Sequence, residues 1–166
     1  MLVNPYKAEF KKLFGSKKKK LRKCLGLEPR IEHFGSTAVS GLAGKGVIDI
    51  MVGFQNRTRL RGAVPKLIAC GYFLSEKGQA MRGDRIFLSS RKKESRVGDV
   101  HLHLVLKNSE GLKKALRFRD RLRRSASLRE RYLQIKKEAA RAARGKREHY
   151  TKLKSAFIEQ ASEPQS

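Results

Sequence analysis

The sequence predicts an α+β (mixed α/β) fold: a central mixed sheet flanked by helices, closed by a helical C-terminal cap. Three observations carry this. Short β-branched and apolar stretches lie between Arg30 and Leu106. Apolar stripes at helical spacing precede them and follow them. The length, 166 residues, suits one core, so residues 1–160 are expected to form a single domain and 161–166 a flexible tail.

In chain order, Tyr6 to Leu25 reads as a helix with Phe10, Leu13, Phe14 and Leu21 on its apolar side. Gly15 and Ser16 count against an unbroken helix there. Arg30 to Phe34 reads as a short strand ending at Gly35-Ser36. Val47 to Val52 is an apolar run broken only by Asp49, and its β-branched content favours a buried strand. Leu60 to Cys70 reads as a helix closed by Gly71. Pro65 inside it points to a later start, because proline is best tolerated in a first helical turn. Tyr72 to Leu74, Arg85 to Ser89 and Val100 to Leu106 read as strands. The last is clearest, with Val100, Leu102, Leu104 and Leu106 on one face. Three helical stripes finish the chain: Leu112 to Leu122, Leu128 to Ala142, and Tyr150 to Phe157.

Composition narrows the function classes. Lys and Arg number 40 against 15 Asp and Glu, a formal charge of +25. Such a balance attracts polyanions and says nothing about fold. The charge is concentrated in Lys17 to Lys20 and in the C-terminal stretch from Lys107 to Lys154, which holds 18 basic and 5 acidic residues. No apolar run approaches the ~20 residues of a membrane span, and no secretory leader is visible at the N-terminus. Two cysteines, Cys24 and Cys70, are too few for a disulfide scaffold. They are expected as separate thiols in a reducing cytoplasm.

The near-neutral segment from Ile31 to Gly53 is the densest candidate for chemistry. Gly35 allows a close backbone approach, Ser36 and Thr37 offer hydroxyls, and Lys45 offers a point charge for a phosphate. Exposed loop N–H groups can add an anion-binding nest. The P-loop pattern is absent. A plain small-residue turn between two strands is the competing reading. Asp49, a carboxylate in an apolar strand, needs a compensating metal, arginine or substrate, and a structural salt bridge would suffice.

Alternation along Asp99-Val100-His101-Leu102-His103-Leu104 puts both histidines opposite the leucines. If this strand neighbours the one bearing Asp49, the three side chains converge. Asp49, His101 and His103 are then candidate catalytic residues and candidate ligands for one divalent metal, Mg, Mn or Zn. Two histidines hydrogen-bonded on a half-exposed sheet face are the plainer alternative. Arg82, Asp84 and Arg85 stand where a rim loop would meet a phosphate, or where solvated charges would sit.

These residues resemble the GrpB-like family. Arg30 to Ile50 looks like its signature, with Ser40 and Gly46 where the family has prolines. Gly71-Tyr72, Arg85-Ile86-Phe87, His101-Leu102-His103-Leu104-Val105, Leu116 to Leu122, and Tyr150-Thr151 with Lys154 and Phe157-Ile158 match further pieces in order. The resemblance spans Pro5 to Ile158. It implies a nucleotidyltransferase-like fold akin to the DNA polymerase beta superfamily. That fold carries a Gly-Ser turn, here Gly35-Ser36, then a strand bearing paired acids. Asp49 would match the second acid, and Val47 stands at the first. The third would fall on the strand with Asp99, His101 and His103.

The expected function is therefore binding of a nucleotide or phosphorylated small molecule, with Gly35, Ser36, Thr37, Lys45 and Arg85 at the phosphate. The single carboxylate leaves nucleotidyl or phosphoryl transfer short of the several acids that a two-metal mechanism uses. The alternative is a non-enzymatic protein on the same scaffold. It would bind RNA or DNA through Lys17, Lys18, Lys19, Lys20 and the basic C-terminal helices. Few aromatics and no Trp give base stacking little support.

Overall fold

The computed structural model describes residues 5–74, 85–92, 96–142 and 147–163. Arg82 and Asp84 lie outside these residues. Helix α1 (Glu9–Leu25) runs unbroken through Gly15 and Ser16, because Phe10 and Leu21 are both buried and anchor it at two ends. Strand β1 (Arg30–Phe34) leads through a one-turn 3-10 helix, Ser36–Ala38, towards β2 (Ile48–Phe54). Helix α2 (Arg57–Ala69) starts three residues ahead of the expected Leu60. Asn56 explains the start: its side chain accepts the Arg59 N–H at 2.9 Å. Pro65 sits well inside α2, not near its beginning, on a side that faces solvent. Strands β3 (Phe73–Leu74), β4 (Arg85–Ser89) and β5 (Val100–Leu106) follow. Three helices end the chain: α3 (Glu110–Arg124), α4 (Ala126–Ala142) and α5 (Arg147–Ser162).

The strands form one sheet in the order β1-β2-β5-β4-β3. Only β2 and β5 are parallel; the other pairs are antiparallel, so the sheet is mixed. One face carries Ile31, Ile48, Ile50, Val52, Ile86, Leu88, Leu102 and Leu104, and packs on α1 and α2. This is the main core. The opposite face carries Met51 and Val105, which pack on Leu112 and Leu116 of α3. Beyond them the same face presents Asp49, His101 and His103. A third cluster joins Val39 and Leu42 of the β1–β2 loop to Phe118, Leu122, Tyr132 and Phe157 of the helical cap. The cap is thus seated on the loop that borders the polar end of the sheet.

Two expectations are corrected. Cys24 and Cys70 are not separate thiols: a disulfide joins them, with Cα atoms 6.4 Å apart, tying the ends of α1 and α2. The tail does not begin at residue 161. Helix α5 runs to Ser162, and Ala161 and Ser162 are buried. The reason is capping. Arg117 donates to the Ser162 carbonyl at 3.1 Å, and Arg121 donates to the Ala161 carbonyl at 2.9 Å. Cationic side chains at a helix C-terminus satisfy its last carbonyls and complement its dipole. No helix among the described residues is long and apolar enough to cross a membrane.

Candidate functional site

The pairing of β2 with β5 builds the site. Asp49 is the direct register partner of His101, and Met51 of His103. Side chains in register on adjacent strands share a face, so Asp49, His101 and His103 meet, as the alternation expected. His101 Nδ1 lies 3.3 Å from Asp49 Oδ1, and His103 Nε2 lies 3.8 Å from the same oxygen. Burial alone pushes the Asp49 carboxyl up. The two imidazoles override it and hold the group well below the usual carboxylate range.

Strand β4 brings Arg85 and Phe87 to this face. Arg85 donates a hydrogen bond to His103 Nδ1. Arginine is a donor only, so Nδ1 must accept and the imidazole proton resides on Nε2, facing Asp49. Phe34 and Phe87 wall His103 with ring centroids 5.1 and 5.0 Å away. Burial, aided by Arg85, lowers His103 to about 4, against the pull of Asp49. His103 is therefore neutral at pH 7.

The β1–β2 loop supplies the other wall. Gly35 has φ +75°, in the left-handed region, and a Cβ there would lie 2.5 Å from Asp49 Oδ2. Only glycine lets the turn press so closely on the carboxylate. Thr37 turns inward. It donates to the Val47 carbonyl at 3.0 Å and accepts from His33 Nε2 at 3.0 Å. The buried Thr37 thus props the loop and does not face the cleft. His33 is on the opposite face of the sheet, stacked on Phe14 of α1 at 4.5 Å. Burial lowers it to about 4. Lys45 is exposed on the loop. Ser36 points toward Gly44: a Cβ at Gly44 would lie 2.1 Å from Ser36 Oγ.

Sequence reasoning missed Lys136. It stands on α4, is only 6% exposed, and reaches over the loop to donate to the Ala43 carbonyl. The same hypothetical Cβ at Gly44 would lie 3.6 Å from Lys136 Nζ. The ammonium also lies 5.5 Å from the Tyr132 ring centroid. Burial, with Lys154 nearby, lowers it to about 8; Asp49 pulls the other way. The signal was there in the sequence: Lys136 is a charge four residues after Tyr132 and three before Ala139, on the apolar stripe. Arg119 and Arg123 were also missed as loop supports. They donate to the His33 and Ala38 carbonyls at 2.9 and 3.0 Å.

The donor set does not fit a metal centre as it stands. Val47 supplies no acid beside Asp49, and the proton on His103 Nε2 occupies the nitrogen that faces the carboxylate. Among the described residues no group of three His, Cys, Asp or Glu side chains is placed to hold a metal ion. What the arrangement offers is a carboxylate facing two imidazoles, with a guanidinium and two aromatic rings against His103, and a hydroxyl and a buried ammonium at Gly44 of the adjoining loop.

Comparisons with known proteins identify the family and the fold. The family model described as GrpB protein matches residues 1–163. The UPF0157 protein BH1888 of Halalkalibacterium halodurans is 31% identical over 156 residues, 93% of this chain and 77% of that protein. The glutamate-rich protein GrpB of Alkalihalophilus pseudofirmus is 27% identical over 96% of this chain and 92% of its own length. The crystal structure of the conserved protein GrpB from Enterococcus faecalis superposes with a TM-score of 0.81 at 25% identity, covering 97% of this chain and 94% of that one. The Cid1 poly(U) polymerase bound to MgATP superposes with a TM-score of 0.56 at 19% identity. This chain covers 44% of that enzyme, so the likeness is one of fold: a nucleotidyltransferase-like core.

Proposed function

The chain belongs to the GrpB family, and from that premise we propose that it binds a nucleotide or another phosphorylated small molecule in the cleft between the sheet and its helical cap. The observation that carries this is the convergence of Ser36 Oγ and Lys136 Nζ over Gly44, beside the turn that presses on Asp49. A hydroxyl and a buried ammonium at a glycine turn are a means of holding an anionic oxygen in a site with little water. The nucleotidyltransferase-like fold supports the ligand class: its neighbour Cid1 is described in complexes with MgATP and MgGTP. Nucleotidyl transfer is not part of the proposal, because one carboxylate cannot hold the metal pair of such a reaction.

Isothermal calorimetry with ATP, GTP, CTP and UTP tests the reading. Wild type is expected to bind at least one of them, and Ser36→Ala and Lys136→Met to weaken that binding by about tenfold or more. No binding, or equal binding by both variants, contradicts it.

A second reading, RNA or DNA binding, is favoured by one surface. Lys11, Lys12, Lys19, Lys20 and Lys23 are exposed along α1. The basic C-terminal helices support it less than their charge suggests. Arg117, Arg119, Arg121, Arg123 and Arg129 all donate to backbone carbonyls of the fold. Nucleic-acid binding through α1 should fall steeply with salt, because phosphate contacts release counterions. A flat salt response contradicts it.

A further inference from the structure

The unusual partner in the cleft is Arg85. In a metal-bound histidine the nitrogen away from the metal almost always donates its proton to an acceptor. His103 has the reverse arrangement. Its Nδ1 faces a guanidinium donor, so its Nε2 bears the proton and points to Asp49 Oδ1. Neither ring nitrogen offers a lone pair to an ion beside Asp49. The carboxylate is engaged on one side. Its Oδ1 faces both imidazoles, and its Oδ2 lies on the Gly35 side, where a Cβ would come within 2.5 Å of it. Two residues earlier Val47 is buried and apolar. A divalent cation entering here would meet one screened carboxylate and the His101 imidazole, beside two fixed cations, Arg85 and Lys136.

We infer that the cleft holds its phosphorylated ligand without a divalent metal, with Arg85 and Lys136 supplying the positive charge a metal would bring. The inference rests on the phosphate-ligand reading above. Its physical logic is charge balance. A phosphate ester brought into a partly dry cleft needs opposite charge and hydrogen-bond donors. Arg85 comes from β4 and Lys136 from α4, and each interacts electrostatically with Asp49. They stand on different elements around the same carboxylate. Asp49 thereby acts as a positioning residue: it holds the proton-bearing side of His103, whose other side receives Arg85.

Two titrations on the intact chain decide this. The first adds Mn²⁺ alone and follows its electron paramagnetic resonance signal. Wild type is expected to show no saturable binding below ~1 mM. The second adds ATP in EDTA and again in excess Mg²⁺. Affinities within about twofold of each other are expected, with Arg85→Ala weakening ATP by about tenfold or more in EDTA. Circular dichroism of Arg85→Ala, and its conservative partner Arg85→Lys, controls for folding. Saturable Mn²⁺ binding that Asp49→Ala abolishes overturns the inference alone. So does ATP binding that appears only with Mg²⁺. ATP binding in neither buffer overturns the phosphate-ligand reading, and this inference with it.

Discussion

His101 Nδ1 lies 3.3 Å from Asp49 Oδ1 across the parallel β2–β5 pair, where the two residues are register partners. That contact joins the polar residues on the face of the sheet opposite its main core. Its strength depends on the turn that covers it. Gly35→Ala would force a positive φ on a side chain and drive its Cβ to 2.5 Å from Asp49 Oδ2. The expected cost is about 2 kcal/mol or more of stability, read as a shift in the urea midpoint without loss of secondary structure. A variant as stable as wild type contradicts the close approach.

Lys136 should trade stability for binding. Burial lowers its folded pKa from 10.5 to about 8. A lysine so shifted costs stability below pH 8, and the cost fades as pH rises from 8 towards 10.5. Lys136→Met keeps the volume and removes the buried charge. It is expected to raise stability at pH 7 by about 1–2 kcal/mol while weakening nucleotide binding. Thermal melts and calorimetry on the same samples check both signs.

His33 should make the protein acid-sensitive. Its folded pKa is about 4 against 6.5 for an ordinary histidine, because burial disfavours the charged ring. The unfolded chain therefore takes up the proton first as pH falls. The stabilising effect is complete above pH 6.5 and is lost progressively towards pH 4. For this group alone the loss by pH 4.5 is on the order of 2 kcal/mol. His33→Gln keeps a donor towards Thr37 and removes the titration. Its stability should fall less between pH 7 and 4.5 than that of wild type, measured by chemical unfolding at each pH.

The Cys24–Cys70 bond closes a sequence separation of 46 residues. Cross-linking a loop of this length restricts the unfolded chain and contributes about 2–4 kcal/mol. Cys24→Ser with Cys70→Ser, or wild type in strong reductant, should lose that amount. Thiol titration of the unfolded wild type should find two thiols only after reduction.

Much of the fold was legible because its strands obey simple periods. Strands β1 and β5 have the boundaries that alternation and the Gly35-Ser36 turn assign. The convergence of Asp49 with His101 and His103 followed from parity once the strands were taken as neighbours. What escaped the sequence were long-range placements. Nothing local says that α4 folds back over the β1–β2 loop, so Lys136 looked like one of 40 basic residues. Thr37 looked like a ligand because composition alone does not say that its hydroxyl turns to His33, four residues back, and to the Val47 carbonyl, ten residues on. The cap arginines were not legible as loop supports because their carbonyl partners lie up to 86 residues away. The disulfide was missed because two cysteines have no spacing rule that brings the ends of two helices together.

The most direct test is a nuclear magnetic resonance titration of the labelled chain with ATP in EDTA, at physiological salt. Saturable shifts at Gly35, Ser36, Gly44 and the Lys136 side chain, with α1 silent, are the expected result. Shifts confined to the lysines of α1, with the cleft unmoved, would contradict a phosphate-binding cleft.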